Sequence, residues 1–370
     1  MRSLTVLTFI AAAACGEVEP GFIDAPPGGD GDGGVDAAID GGGDTCDPAC
    51  GENAACAGTT CLCNNGFVGD GYTCRAIWAR IATTQLRLAN VVAGQTNGVI
   101  AAGLRNRIYF GPEIGSESDP AHYMRHFNVD TMAFSAPLAL PPSGQRDFCA
   151  CGDTEVFVGA TDSSGNEAVY MFGNYGFRYQ PDTGAGPGSW TPVSSYVGSF
   201  RRGEAAGAFE ANNRFVYMIG GRGPLDTAIR FSVAGQSFDP EPGILPYQVD
   251  SARAWAPAGN NLVYVAGGFA SDNSRRHLIR TATGTNQWTT LADAPADLGS
   301  TIGMGDFGGR IWVATRNGLL YFYDPGPGTW RTSPITAPAG AVAVVTTSGR
   351  TFALIQNGDI LEVHELMAIE

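Results

Sequence analysis

The sequence predicts an all-β protein whose larger part is built from six copies of one repeat. From Arg75 onward, short apolar runs alternate with Gly, Pro, Asn and Asp, and no extended helical periodicity interrupts them. The segment NRFVYMIGG at 213–221 returns as NLVYVAGG at 261–268, which places Tyr217 and Tyr264 47 residues apart. Self-similarity at a regular spacing indicates a repeat fold, so further copies are expected along the rest of the chain.

Two residue markers recur in phase through the repeats. The first is an aromatic residue inside an apolar run, found at Tyr109, Phe157, Tyr217, Tyr264, Trp312 and Phe352. The second is an aromatic residue after a turn-rich stretch, found at Trp190, Phe238, Trp288 and Trp330. A repeat of this length holds about four short strands, which is one blade of a β-propeller. The sequence therefore predicts a six-bladed propeller over residues 76–370.

The sixth copy ends one strand short of a blade, and an unassigned strand precedes the first copy. Residues 77–82 carry a Trp and read as the last strand of a blade. An open ring would leave two exposed sheet edges. We therefore expect residues 77–83 to complete the blade that contains 340–366. Seven blades are the alternative, and they would need another repeat between 157 and 217, where 170–172 and 177–179 are apolar.

The Gly-Gly pairs, each followed by a later aromatic marker, resemble kelch repeats. The pairs are Gly220-Gly221 and Gly267-Gly268. The resemblance implies a kelch-like propeller that binds its ligands through its loops or at the mouth of its central channel.

The first residues predict export. Met1-Arg2-Ser3 is a short charged start, residues 4–14 are apolar, and Cys15 follows three alanines. A run this short does not span a bilayer, and the alternative is a buried core helix. The small residues before Cys15 resemble the lipobox of bacterial lipoproteins, with Ala12 in place of the usual Leu. The resemblance implies a signal peptide at 1–14, a lipidated Cys15 and a position in the cell envelope, anchored in the outer membrane; ordinary signal-peptidase cleavage is the alternative.

Residues 15–45 read as a flexible linker. The segment is rich in Gly, Asp and Pro and contains no basic residue. It cannot bury enough apolar surface to fold, so we expect a solvated, disordered tether. Its spaced carboxylates, Asp30, Asp32, Asp36 and Asp40, are an alternative set of calcium ligands.

Six cysteines between 46 and 74 predict a small disulfide domain at 46–75. Such a short segment lacks a core of its own, and an exported chain meets an oxidising compartment. Spacing alone permits fifteen pairings, and a zinc site is the alternative. The spacing and the residues 66–71, GFVGDG, resemble an epidermal-growth-factor-like module. That resemblance implies the pairs Cys46–Cys56, Cys50–Cys61 and Cys63–Cys74; calcium binding is in doubt because Thr45 replaces the usual acidic residue.

Charge and composition narrow the possible functions. The formal net charge is −14, which is unsuited to nucleic acid, and all 22 basic residues are Arg. Without Lys, neither a Schiff base nor the lysine of a P-loop is possible. We expect no cofactor, no metal site and no nucleic-acid partner.

The candidate ligand-binding residues are three arginines, each ahead of the first strand of a blade: Arg146, Arg202 and Arg253. The first strand of a propeller blade lines the central channel, so these residues predict a partial cationic ring that selects an anionic ligand. The alternative is that they make structural hydrogen bonds and ion pairs.

Two further pairs of residues are candidates for a site. His122 and His126 have a spacing that suits a metal, but no acid or cysteine accompanies them, so we interpret them as structural. Cys149 and Cys151 belong to an exported chain and are expected to form a local disulfide, provided that a bulge or turn brings them together. Buried free thiols and a redox or metal role are the alternatives.

These observations favour a surface-tethered binding or adhesion protein that recognises a protein or carbohydrate ligand, rather than an enzyme. The alternative is an extracytoplasmic enzyme acting on carbohydrate or cell-wall material. Its acids would lie at the channel mouth, with Glu204 and Asp250 as candidates.

Overall fold

The structure is a computed structural model of the chain, and a defined part of the sequence is described. The described residues are 46, 49–57, 59–64, 66–88, 99–114, 122–139, 156–172, 176–181, 188–193, 205–221, 225–239, 243–270, 275–282, 285, 287–299, 301–331 and 334–369. Their regular structure consists entirely of β-strands. Within these ranges, no helix has the length and apolar character needed to cross a membrane.

The described strands after residue 77 form six antiparallel sheets, which are the six blades of a β-propeller. Blade 1 contains β6 (Ile100–Leu104), β7 (Arg107–Ile114), β8 (His122–Asn128), β9 (Ala133–Phe134) and β10 (Leu138–Ala139). Blade 2 contains β11 (Val156–Thr161), β12 (Glu167–Phe172), β13 (Gly176–Gln180) and β14 (Ser189–Pro192). Blade 3 contains β15 (Ala206–Glu210), β16 (Phe215–Ile219), β17 (Leu225–Ser232), β18 (Ser237–Phe238) and β19 (Gly243–Asp250), and it also pairs with β22 (Phe269–Ala270).

The remaining three blades follow in chain order. Blade 4 contains β20 (Arg253–Trp255), β21 (Leu262–Ala266), β23 (Leu278–Ala282) and β24 (Trp288–Thr290). Blade 5 contains β25 (Thr301–Phe307), β26 (Arg310–Thr315), β27 (Leu319–Asp324), β28 (Thr329–Trp330) and β29 (Ile335–Thr336). Blade 6 contains β30 (Ala341–Thr347), β31 (Arg350–Asn357) and β32 (Ile360–Leu366), and β5 (Trp78–Gln85) completes it.

The ring closes through β5, as the sequence predicted. This strand pairs antiparallel with β32, with Trp78 opposite Leu366 and Ala82 opposite Val363. The chain segment before blade 1 therefore supplies the outermost strand of blade 6. Because β32 would otherwise carry an unpaired edge, the pairing ties the start of the propeller to its end.

The aromatic markers identify two positions in each blade. The first marker lies on the second strand in five blades. In blade 2, Phe157 lies instead on the innermost strand β11, and Tyr170 on β12 occupies the equivalent place. Both strands are apolar and alternate in the same way, so the pattern does not separate them. Residues 170–172 and 177–179 belong to β12 and β13, which leaves the seven-blade alternative without its extra repeat.

The second marker lies on a strand that pairs with the third strand of its blade. Trp190 stands opposite Tyr179, Phe238 opposite Phe231, and Trp330 opposite Tyr323. Blade 1 has the same feature, because Phe134 on β9 stands opposite Phe127. The sequence analysis missed this copy, which lies on a two-residue strand after the turn at 129–132.

The hydrophobic core lies between blades. Each core cluster joins two neighbouring sheets; Trp312 and Phe322 of blade 5, for example, pack with Ala353 and Ile355 of blade 6. The Gly-Gly pairs permit close packing at these junctions. Gly268 has a φ of +77°, and a Cβ there would lie 2.2 Å from the carbonyl oxygen of Asp250. Only glycine suits a position with both constraints.

The segment before the propeller is held by three disulfides. It contains β1 (Ala54–Ala57), β2 (Thr60–Cys63), β3 (Phe67–Gly69) and β4 (Cys74–Ala76), which form two hairpins. The bonds are Cys46–Cys56, Cys50–Cys61 and Cys63–Cys74, the pairs that the resemblance implied. The thiols of Cys46, Cys50 and Cys56 lie close enough to hold a metal, but all three are used in disulfides.

Candidate functional site

The candidate site is the central channel. Its described wall comes from the first strand of every blade, namely β6, β11, β15, β20, β25 and β30, and it encloses a cavity of about 330 Å³. Because the blades repeat, their first strands run in the same direction around the axis. The strand beginnings therefore meet at one end of the channel, here called the starting mouth, and the strand ends meet at the other, the far mouth.

Arg253 is the first residue of β20 and lies in the wall of the channel at the starting mouth. Its Nη1 donates a hydrogen bond to the carbonyl oxygen of the preceding residue, Ala252, at 3.1 Å. No carboxylate within the described ranges forms a salt bridge with it. Arg253 therefore lines the cavity, where its guanidinium has a hydrogen bond to the backbone and no salt bridge with a described carboxylate.

The electrostatic environment of Arg253 is unfavourable to its charge. Burial, and secondarily the positive charge of Arg316, lowers the pKa of the Arg253 guanidinium to about 10. A pKa of 10 still leaves the group protonated at neutral pH. A cation that is desolvated and placed near a like charge is stabilised by any anion that reaches it.

Arg316 was missed by the sequence analysis. It follows β26, which runs antiparallel to β25, so it lies at the same end of the blade as Thr301. Burial also lowers the pKa of Arg316. The Thr301 hydroxyl is buried and has no hydrogen-bond partner among the described residues. The starting mouth thus combines two guanidinium groups with an unsatisfied hydroxyl on the neighbouring blade.

The far mouth has a different character, because its polar groups satisfy one another. Arg105 forms a 2.7 Å salt bridge with Glu167 and donates to the carbonyl oxygen of Gly165. The hydroxyls of Thr347 and Ser348 both donate to the carbonyl oxygen of Arg105. Arg105 is therefore paired with an acid at the exposed end of the channel, whereas Arg253 has no salt bridge with a described carboxylate.

The described residues that line the cavity include no carboxylate; Glu210 and Asp306 belong to the first strands β15 and β25 but lie outside this lining. Asp250, a candidate acid of the enzyme alternative, ends β19 outside this wall and accepts a hydrogen bond from the Ser251 hydroxyl at 2.8 Å. Glu204 lies outside the described residues. The same is true of Arg146, Arg202, Cys15, Cys149 and Cys151.

Two other described arginines have structural roles. Arg230 pairs with Asp239 beside Tyr217, and Arg350 forms a 2.6 Å salt bridge with Glu365. Both connect neighbouring strands within one blade. Their positions on second and third strands, away from the channel, distinguish them from Arg253.

His126 occupies a structural position between blades 1 and 2. It stands opposite Tyr109 on the neighbouring strand, and their ring centroids are 5.3 Å apart. Its Nδ1 is buried without a partner in the described part of the chain. Burial, followed by the nearby charge of Arg107, lowers the pKa of His126 from 6.5 to about 4. The position of the side chain of His122 lies outside the described part, so the metal alternative is not tested.

The depressed pKa of His126 predicts acid sensitivity. Between pH 6.5 and 4 the unfolded chain binds a proton that the folded chain excludes, so the free energy of unfolding falls as pH falls through this window. Since the ring is partly solvated, we expect a loss of about 1–2 kcal/mol from pH 7 to pH 4. His126→Phe should reduce this loss, as measured by urea unfolding, because Phe322 already fills the equivalent place in blade 5. An unchanged pH profile in that variant would contradict the assignment.

Comparison with known proteins shows the fold. No protein-family model matches the chain, and no curated protein matches it. The solved structure titled "Structure of YjhT" matches with a TM-score of 0.52 and 13% identity, over 74% of this chain and 95% of that one. The protein is a six-bladed β-propeller. Because 971 chains of solved structures match and identity to YjhT is low, the likeness carries no assignment of function.

Proposed function

We propose that this protein is a binding protein of the cell envelope that recognises an anionic group of a protein or carbohydrate ligand at the starting mouth. The observation that carries the proposal is the Arg253 guanidinium, which is partly buried in the channel wall and has no acidic partner among the described residues. Such a group favours an incoming carboxylate or other anion, because the ligand supplies the missing countercharge.

The net charge of the protein makes this mouth selective. The chain carries a formal charge of −14, so most of its surface repels anions at long range. Arg253 in the channel wall is then the place where an anionic ligand gains most. The ligand would then be selected by one defined site and not attracted to a generally cationic surface, which suits a binding protein.

The enzyme alternative has less support. Hydrolysis of carbohydrate or cell-wall material by general acid–base chemistry requires two carboxyl groups that converge on the substrate. The described channel wall supplies cations, hydroxyls and apolar side chains but no acid. A binding role requires nothing further from these residues.

The cellular location of the protein is part of the proposal. A signal peptide at 1–14 and lipid on Cys15 would hold the chain on the outer membrane, with residues 16–45 as a tether. The disulfide segment is consistent with an oxidising compartment, which the envelope provides. In this proposal the segment is an EGF-like module, and the propeller with its Gly-Gly pairs is of the kelch type.

Lipidation is tested directly at Cys15. Cells expressing the chain should incorporate radiolabelled palmitate into the protein and retain it in the membrane fraction. Cys15→Ser should abolish both labelling and retention, because the thiol is the site of acylation. Equal labelling of the variant, or no labelling of the parent chain, would refute the lipid anchor.

Ligand recognition is tested by screening the chain against glycan and peptide arrays. We expect binding to anionic members, with affinity at least about ten-fold lower in Arg253→Gln because a charge-assisted contact is lost. Arg80→Gln is the matched control, since Arg80 is exposed on β5 away from the channel. Selective binding of neutral ligands, or an equal loss in both variants, would contradict the proposed site.

A further inference from the structure

The wall between the two mouths of the channel is apolar. Phe157, Val158 and Val345 each retain 8% exposure and line the cavity, whereas many of the residues between blades are fully buried. Ile302 and Met304 of blade 5 complete this surface. The channel is therefore polar at its ends and apolar over its middle.

The width of the channel is limited by backbone packing. A Cβ at Gly103 would lie 2.2 Å from the carbonyl oxygen of Thr346, and one at Gly303 would lie 2.1 Å from that of Val344. Neighbouring first strands therefore approach as closely as glycine allows, and the blades are fixed by the cores between them. A cavity of about 330 Å³ stands at the lower end of the usual range for ligand pockets.

This volume restricts what enters the channel. A sugar chain or a folded protein segment exceeds it, whereas a short aliphatic chain or a single ring fits. The side chains in the middle of the described wall offer no polar partner to the hydroxyl groups of a sugar, and the polar groups there are those of the backbone edges of the six first strands.

From these observations we infer that the channel binds a small organic carboxylate with an apolar body, its charge at the Arg253 end and its body between the apolar walls. The inference rests on the proposed function and names the chemical class of the ligand. An alkanoate or an aromatic carboxylate places each part of the molecule against a complementary part of the channel. The buried cation and the apolar wall then act on the same ligand, which explains why both are present in one cavity.

The test uses four small probes and the whole chain carrying Cys15→Ser. Hexanoate and benzoate share a carboxylate with an apolar body, glucuronate has the charge with a polar body, and hexanamide has the apolar body without the charge. Dissociation constants are measured by calorimetry and ligand-observed NMR. We expect hexanoate and benzoate to bind at least ten-fold more tightly than glucuronate and hexanamide.

Two variants locate the binding. Arg253→Gln should weaken hexanoate at least ten-fold while leaving hexanamide unchanged, and Arg253→Lys should restore much of the lost affinity because it retains the charge. Val345→Ser should weaken hexanoate and benzoate but not glucuronate, since it alters only the apolar wall. Thermal unfolding of each variant, with Arg80→Gln as control, separates loss of binding from loss of fold.

The outcomes distinguish this inference from the proposed function. If glucuronate binds as tightly as hexanoate or more tightly, and its binding depends on Arg253, the apolar-body inference is overturned and anion recognition stands. The same holds if only large anionic array ligands bind through Arg253. If hexanoate binding is unaffected by Arg253→Gln, or if no anion binds at all, both are overturned.

Discussion

A chain from which residues 77–85 are deleted is expected to lose the cooperative unfolding of its propeller. The deletion removes β5, and β32 then has no partner on its outer edge. Ile77 and Trp78 also leave the core between blades 5 and 6, while Ile81 and Ala82 leave the core between blades 6 and 1. Truncating one buried Trp or Ile costs about 2–5 kcal/mol, and a whole domain has only about 5–15 kcal/mol of stability.

Deletion of residues 46–74 is the matched control. It removes the three disulfides and most of β1–β4 but keeps β5 paired with β32. Thermal unfolding followed by near-ultraviolet circular dichroism should show one cooperative transition in the control and none in the 77–85 deletion. A native-like transition after loss of β5, or equal damage in both chains, would show that closure through β5 is not required.

Blade number and closure could be predicted from sequence because both depend on periodic features. Aromatic residues on the second strands, and on the strands that pair with the third, fill the spaces between blades, so they recur with the repeat length. The missing last strand of the sixth copy indicated closure, since a ring cannot leave β32 unpaired. These features depend on local pattern and on the requirement that sheet edges be covered.

The sequence pattern does not distinguish the first strand of blade 2 from its second strand. Residues 156–158 and 169–171 are both apolar strands with a central aromatic residue, and each fits the first marker. Their difference lies in tertiary position, because β11 faces the channel and β12 lies behind it. A strand buried on both faces has no polar alternation that reveals which neighbour it contacts.

The candidate site was only partly accessible to sequence reasoning. Arg253 was found because it immediately precedes an apolar run that reads as the first strand of a blade. Arg316 was not, since its place at the same mouth depends on the antiparallel return of β26 beside β25. The absence of an acid from the described wall also could not be predicted, because Asp250 is close to Arg253 in sequence but ends a strand outside the channel wall.

Trp312→Ala is expected to be the most destabilising single substitution among the aromatic markers. Trp312 is fully buried in the core between blades 5 and 6. Its Nε1 donates to the hydroxyl of Thr351 at 3.2 Å, which connects β26 to β31 of the next blade. Loss of the ring should cost about 3–5 kcal/mol through the cavity that remains. Trp312→Phe keeps much of the volume and loses the hydrogen bond, so a smaller cost of about 1–2 kcal/mol is expected.

Trp330→Ala is the matched control for this prediction. Trp330 lies on the outermost strand β28, is only partly buried, and donates from Nε1 to the carbonyl oxygen of Ala292 at 2.8 Å. Guanidinium unfolding should show a lower midpoint with unchanged m-value for both alanine variants, and the shift should be at least twice as large for Trp312. Equal shifts would place the stabilising core at the rim of the blades. A larger shift for Trp312 is expected because its ring is fully buried in the junction between two blades, whereas Trp330, whose hydrogen bond also joins blade 5 to blade 4, is only partly buried.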